Sequence, residues 1–143
     1  MRLALWNYRQ MTKDFEGLRC KPYKCSAGKL TIGYGRNLDD VGISLDEADY
    51  MFNNDFNKAY EDVLWLLTKY DIDVNNLSEC RLFVLTDMCF NLGRARLFMF
   101  KKLFQALKKG DYDTAAEEMK DSNWYKQVGN RAKKLCDMMK NNA

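Results

Sequence analysis

The stretch FEGLRCKPYKCSAGKLTIGYG, residues 15–35, holds the only proline of the 143-residue chain and four of its eight glycines. Glycine costs about 1 kcal/mol and proline about 3 kcal/mol inside a helix, so this stretch interrupts whatever helical protein surrounds it. Gly17 offers the left-handed position that ends a helix, and Pro22 pushes Lys21 toward extended geometry. From there YKCS, then AG, then KLTIGYG reads as a β-hairpin with glycine in its turn. Such an insert is poor structural filler and marks a site.

The flanks are helical. Residues 1 to about 15 space Leu5, Tyr8, Met11 and Phe15 by three and four, which predicts one amphipathic helix. Ser44 and Glu47 form a capping box that opens a helix to about Tyr70, with Leu45, Ala48, Phe52, Phe56, Ala59, Val63 and Leu67 on one face. Residues 82–92 are apolar on nearly every side and predict a buried helix stopped by Gly93; helices at about 97–109, 112–120 and 130–140 follow. The expected class is α+β: one 143-residue domain, mainly helical, with a small antiparallel sheet and a long helix between two lobes. The β-containing lobe is placed at about 17–55, with 1–16 and 56–143 forming the helical lobe.

Composition narrows the chemistry. There is no histidine, so proton transfer falls to carboxylates, thiols, tyrosines or lysines. Five cysteines at 20, 25, 80, 89 and 136 match no metal spacing; free thiols are expected, with 80, 89 and 136 as core residues, no metal and no cofactor. Cys20 lies five residues before Cys25, and oxidation is a candidate to pair them. Residues 1–93 carry 11 Lys/Arg against 14 Asp/Glu, while residues 94–143 carry 12 against 6, a net +6 that attracts polyanions or reflects solvated helix faces. The aromatic-plus-basic interleaving of a nucleic-acid reader is missing, so no nucleic-acid partner is expected. No run reaches the roughly 18 apolar residues of a membrane span, and no signal-peptide core is evident. No stable membrane insertion is expected.

Glu16 closes the first helix, where the negative end of the macrodipole favours a protonated carboxyl, the form a general acid needs. Glu16, Cys25 and Thr31 stand in the pattern Glu-x8-Cys-x5-Thr, followed by Gly33-Tyr34-Gly35. In this the chain resembles the phage-type lysozymes, the endolysins of glycoside hydrolase family twenty-four. ISLDEADYMFNNDF, FNLG at 90–93 and SNWYKQVGNRAK look like the family's later landmarks. The resemblance implies a muramidase that cuts the β-1,4 bond between N-acetylmuramic acid and N-acetylglucosamine in peptidoglycan, with the sheet walling a sugar-binding cleft between two lobes. It further implies a monomer that gathers in the host cytoplasm before lysis and then acts on the cell wall.

Carried over by the resemblance, Glu16 is the catalytic acid, Cys25 the second catalytic position and Thr31 the residue that orients water. Gly33, Tyr34, Gly35, Asn91 and Arg131 are substrate-side positions, with Arg131 approaching the glutamate. The cysteine is a departure: a thiol of pKa about 8.5 is about 3% ionised at pH 7, roughly 2 kcal/mol short for any step needing the anion. It is therefore acidified in place, or attacks the sugar, or leaves the work to the acid and the binding site. An odd-numbered turn such as Ala27-Gly28-Lys29 makes Cys25 and Thr31 direct cross-strand partners and an even loop leaves them diagonal; the odd case is the one expected. Trp124 and Tyr125 either stack on sugars or fill the core. Arg36 stands where family members commonly carry histidine. Rival readings are a lytic transglycosylase, which cuts the same bond with one glutamate, and a non-catalytic wall-binding module of the same fold.

Overall fold

The computed structural model describes residues 3–143. It is a mainly helical α+β structure with a three-stranded antiparallel sheet, and it divides into two compact units, Met1–Tyr50 and Met51–Ala143.

In the first unit, α1 (Leu3–Asn7) and α2 (Arg9–Glu16) precede β1 (Arg19–Lys24), β2 (Leu30–Gly33) and β3 (Arg36–Asn37). The sequence predicts a single helix here; the chain instead breaks at Tyr8, whose amide bonds back to the Leu5 carbonyl. The part of that expectation on residues 1 and 2 lies outside the described residues. The predicted apolar face of Leu5, Tyr8, Met11 and Phe15 is exposed rather than buried. Gly17 ends α2 at φ +74°, its amide bonded to the Lys13 carbonyl.

Strand order is β1-β2-β3, so Thr31 sits on the central strand and is buried. Tyr23 pairs with Thr31 and Lys24 with Leu30, but the register slips between Arg19 and Tyr23. Pro22 lies in the slipped segment, where its missing N–H leaves no ladder bond to lose. β1 is an edge strand.

α3 (Leu45–Lys69) opens with the expected capping box: the Ser44 amide donates to Glu47 Oε1 at 2.8 Å and the Glu47 amide to Ser44 Oγ at 3.2 Å. Glu47 also receives Arg36, with Nη1 at 2.8 Å and Nη2 at 2.6 Å, while Arg36 Nη1 reaches the Gly42 carbonyl. This fork ties the end of the sheet to the start of α3. It holds the Glu47 carboxyl down at about 2, first through the Arg36 hydrogen bond and then through the Ser44 amide and hydroxyl. A lowered carboxyl contributes stability that is complete above the unfolded-state value of about 4.3 and disappears as pH falls through about 2. The melting-temperature gap between wild type and Glu47→Gln is therefore expected to be level above pH 5 and to close between about pH 4.3 and pH 2. In Arg36→Ala, the NMR titration midpoint of Glu47 rises toward the ordinary glutamate value; a midpoint that stays near 2 contradicts the fork.

The second unit is built on α4 (Glu79–Leu92), which follows a short 3-10 turn at Val74–Asn76. Ser78 caps α4, and Val84, Leu85, Met88, Cys89 and Leu92 bury its apolar sides as the sequence predicts. Ala59, Val63, Leu66 and Leu67 of α3 join the same core. The predicted helix at 97–109 is two, α5 (Arg94–Phe98) and α6 (Lys101–Lys109), and α7 (Tyr112–Lys120) follows as expected. α8 (Asn123–Val128), capped by Ser122, has no counterpart among the expected helices and precedes α9 (Asn130–Asn141). Arg81 of α4 lies flat on the Tyr112 ring, 3.5 Å from its centroid, and donates to the Met139 and Lys140 carbonyls near the end of α9. Among the described residues, no helix is long and apolar enough to cross a membrane.

Candidate active site

Glu16 is the last residue of α2, and its carboxyl lies against Gly35 in the turn between β2 and β3. A Cβ built on Gly35 would stand 2.5 Å from Glu16 Oε2 and 3.1 Å from Cδ. Gly35 adopts φ +78°, which favours glycine, and any side chain there would also push the Glu16 carboxyl aside. Beside it, the Lys13 ammonium sits 5.0 Å from the Tyr34 ring centroid. Gly33, at φ +71°, faces open space.

Cys25 and Thr31 are brought to one face, though not as direct partners. The Cys25 amide donates to the Lys29 carbonyl at 2.9 Å, closing a three-residue loop of Ser26, Ala27 and Gly28. The turn has the expected odd length but is centred one residue earlier than predicted. Cys25 therefore opposes Lys29, Thr31 opposes Tyr23, and the two site residues are diagonal neighbours two positions apart. The sequence pattern allows both centres, because each puts the same residues on the same side of the strand.

The Cys25 thiol is half-buried and held below its ordinary value. The main causes are hydrogen bonds to sulfur from the Lys29 and Ala27 backbone; partial desolvation opposes them, and the Thr31 hydroxyl adds to them. Thr31 Oγ1 also donates to the Lys29 carbonyl at 2.9 Å. Cys89 and Cys136 are pushed up to about 11, mainly by burial. Alkylation by iodoacetamide, followed by mass spectrometry, is therefore expected to modify Cys25 well before Cys89 and Cys136, with a pH midpoint below that of free cysteine. A midpoint at or above the free amino acid would remove the thiolate from the site.

Cys20 is exposed in β1. At about 3.3 Å per residue, the five steps to Cys25 span roughly 16 Å, beyond the roughly 7 Å a disulfide tolerates. Pairing of these two thiols on oxidation would therefore require the strand to unfold.

Asn91 and Arg131 lie in the second unit. Asn91 Oδ1 accepts from Trp124 Nε1 at 2.9 Å, and Trp124 is buried, which places that ring in the core rather than on a sugar. Arg131 Nε donates to Asp87 Oδ2 at 2.8 Å, and both line a cavity of about 220 Å³ with Phe83, Lys134, Leu135 and Met138. Sequence reasoning missed Asp87 and Lys13, and it read Glu47 as a helix cap without its fork to Arg36. Neither Asp87 nor Lys13 carried a signal in the sequence pattern.

A sequence model of the family described as phage lysozyme matches residues 13–140. An endolysin of Acyrthosiphon pisum secondary endosymbiont phage 1 is 30% identical over 112 residues, which cover 76% of this chain and 71% of that protein. Probable T4-type lysozyme 2 of Dictyostelium discoideum is 26% identical, with 91% of each chain covered. The peptidoglycan hydrolase gp36 of Pseudomonas phage phiKMV is also 26% identical; the match takes in 94% of this chain but only 15% of that protein. With residues 13–140 matched by the family model, the chain belongs to the phage lysozyme family of glycoside hydrolases.

Proposed function

We propose that the chain is an endolysin-type muramidase that hydrolyses the β-1,4 bond between N-acetylmuramic acid and N-acetylglucosamine in bacterial peptidoglycan. Glu16 is the general acid and gives its proton to the glycosidic oxygen as the bond breaks. A water adds to the anomeric carbon, oriented by Thr31 and relieved of its proton by the Cys25 thiolate. The observation that carries this reading is the Glu16 carboxyl seated on Gly35, in the turn that follows the strand bearing Thr31. The acidified thiol supports the base role, since the backbone around it offsets part of the deficit an ordinary thiol has at neutral pH.

The backbone of Gly33, Tyr34 and Gly35 forms the substrate-side edge of the sheet in the first unit, and Asn91 and Arg131 are the substrate-side positions of the second unit. The 143 residues act as one catalytic domain and as a monomer, gathering in the host cytoplasm before lysis and then reaching the wall. The cysteine in place of a carboxylate also favours a second reading, a lytic transglycosylase.

Mass spectrometry of digested, purified peptidoglycan tests both. Hydrolysis gives fragments ending in a reducing N-acetylmuramic acid, one water heavier than the anhydro ends a transglycosylase leaves. Anhydro ends alone would establish the second reading. Intact glycan after prolonged digestion would overturn both and leave a wall-binding module.

A further inference from the structure

Two residues in the last turn of α2 meet two adjacent residues of the turn between β2 and β3. Lys13 lays its ammonium on the Tyr34 ring, and Glu16, three positions on, rests on Gly35. Positions i and i+3 share one helix face, so a single face of α2 makes both contacts. The far side of the turn is anchored independently, because Arg36, next after Gly35, is forked onto Glu47 and bonded to the Gly42 carbonyl. The other α2 side chains that form hydrogen bonds spend them locally, Arg9 on the Trp6 carbonyl and Gln10 on Asp14. Among the described residues, no hydrogen bond or ion pair carries an α2 side chain to the sheet, and none fixes the Glu16 carboxyl.

A flexible carboxylate without a hydrogen bond depends on its helix being held in place. An ammonium within about 6 Å of a ring centroid is attracted by the ring's negative face, and the direction of that attraction fixes the turn of α2 against the loop. We propose that Lys13 is a positioning residue for Glu16, acting through the face of Tyr34, and that this ring serves α2 rather than a sugar. The proposal rests on Glu16 being the acid.

The test is the steady-state kinetics of Lys13→Met, Tyr34→Leu and the double variant on soluble peptidoglycan fragments, with Glu16→Gln alongside. Each single variant is expected to lower kcat about 3- to 10-fold with KM unchanged. The double variant should be no worse than the poorer single one, because both remove the same contact. Lys13→Arg, which keeps a cation over the ring, recovers most of the loss, and Tyr34→Phe loses less than Tyr34→Leu; a merely structural role for the lysine stem would not show this pattern. A raised KM with intact kcat in Tyr34→Leu, or losses that multiply in the double variant, would overturn the positioning role while Glu16→Gln stays inactive. Wild-type activity in Glu16→Gln would overturn the acid assignment and this role with it.

Discussion

Replacing Glu16 by glutamine is expected to slow lysis of outer-membrane-stripped cells by about 10²- to 10⁴-fold, the range a positioned general acid supplies. Glutamine keeps the length and nearly the shape of the side chain, so the contact with Gly35 survives and only the transferable proton is lost. Glu16 is exposed and makes no buried hydrogen bond, so the thermal midpoint should stay close to that of wild type. A turbidity assay and a melting curve on the same sample separate lost chemistry from lost folding. Lysis at the normal rate by a folded Glu16→Gln would remove the acid from residue 16. With no histidine in the chain, its replacement would have to be sought among other carboxylates, thiols, tyrosines or lysines.

Gly35→Ala should be the second most damaging change, for a different reason. The new methyl group would stand 2.5 Å from Glu16 Oε2, so the carboxyl must move, and a displacement of about 1 Å in a reacting group can cost about 10²-fold in rate. The alanine also meets a left-handed backbone, at roughly 1–2 kcal/mol. Gly110→Ala separates the two effects: Gly110 has φ +71°, nothing within 4 Å of the point a Cβ would occupy, and a place at the end of α6 in the second unit. Both variants should melt earlier by similar amounts, while only Gly35→Ala loses kcat. Equal activity in the two would mean that the Glu16–Gly35 contact does not set the rate.

What could be foreseen from the letters follows the range of the interactions involved. The Ser44–Glu47 box, the glycine stops at 17 and 93 and the apolar α4 are all written within a few residues, and the structure carries them as expected. The break at Tyr8 is invisible in sequence because the spacing of Leu5, Met11 and Phe15 continues across it, and periodicity reports a face without reporting continuity. The hairpin centre escapes for a similar reason, since two loop placements preserve the same alternation and the backbone bond from Cys25 to Lys29 decides between them. Contacts between residues far apart in sequence leave no local trace. Arg131 finds Asp87 44 positions away, and Arg36 takes Glu47 from a position where the resemblance suggests histidine. In the site itself, the order Glu16, Cys25, Thr31 is legible as a spacing. The seat of the carboxyl on Gly35 is not, because it depends on how α2 meets a turn that sequence spacing does not describe.

The bond from Trp124 to Asn91 makes an optical reporter of the helical core. Its indole is 2% exposed, while Trp6 and Trp65 are each open to solvent beneath or between cations. In a chain carrying Trp6→Phe and Trp65→Phe, ultraviolet-excited emission begins at short wavelength and shifts red as water reaches Trp124. That colour change records the opening of Met51–Ala143 alone. Trp6 kept as the sole indole gives the complementary record for the unit that carries Glu16.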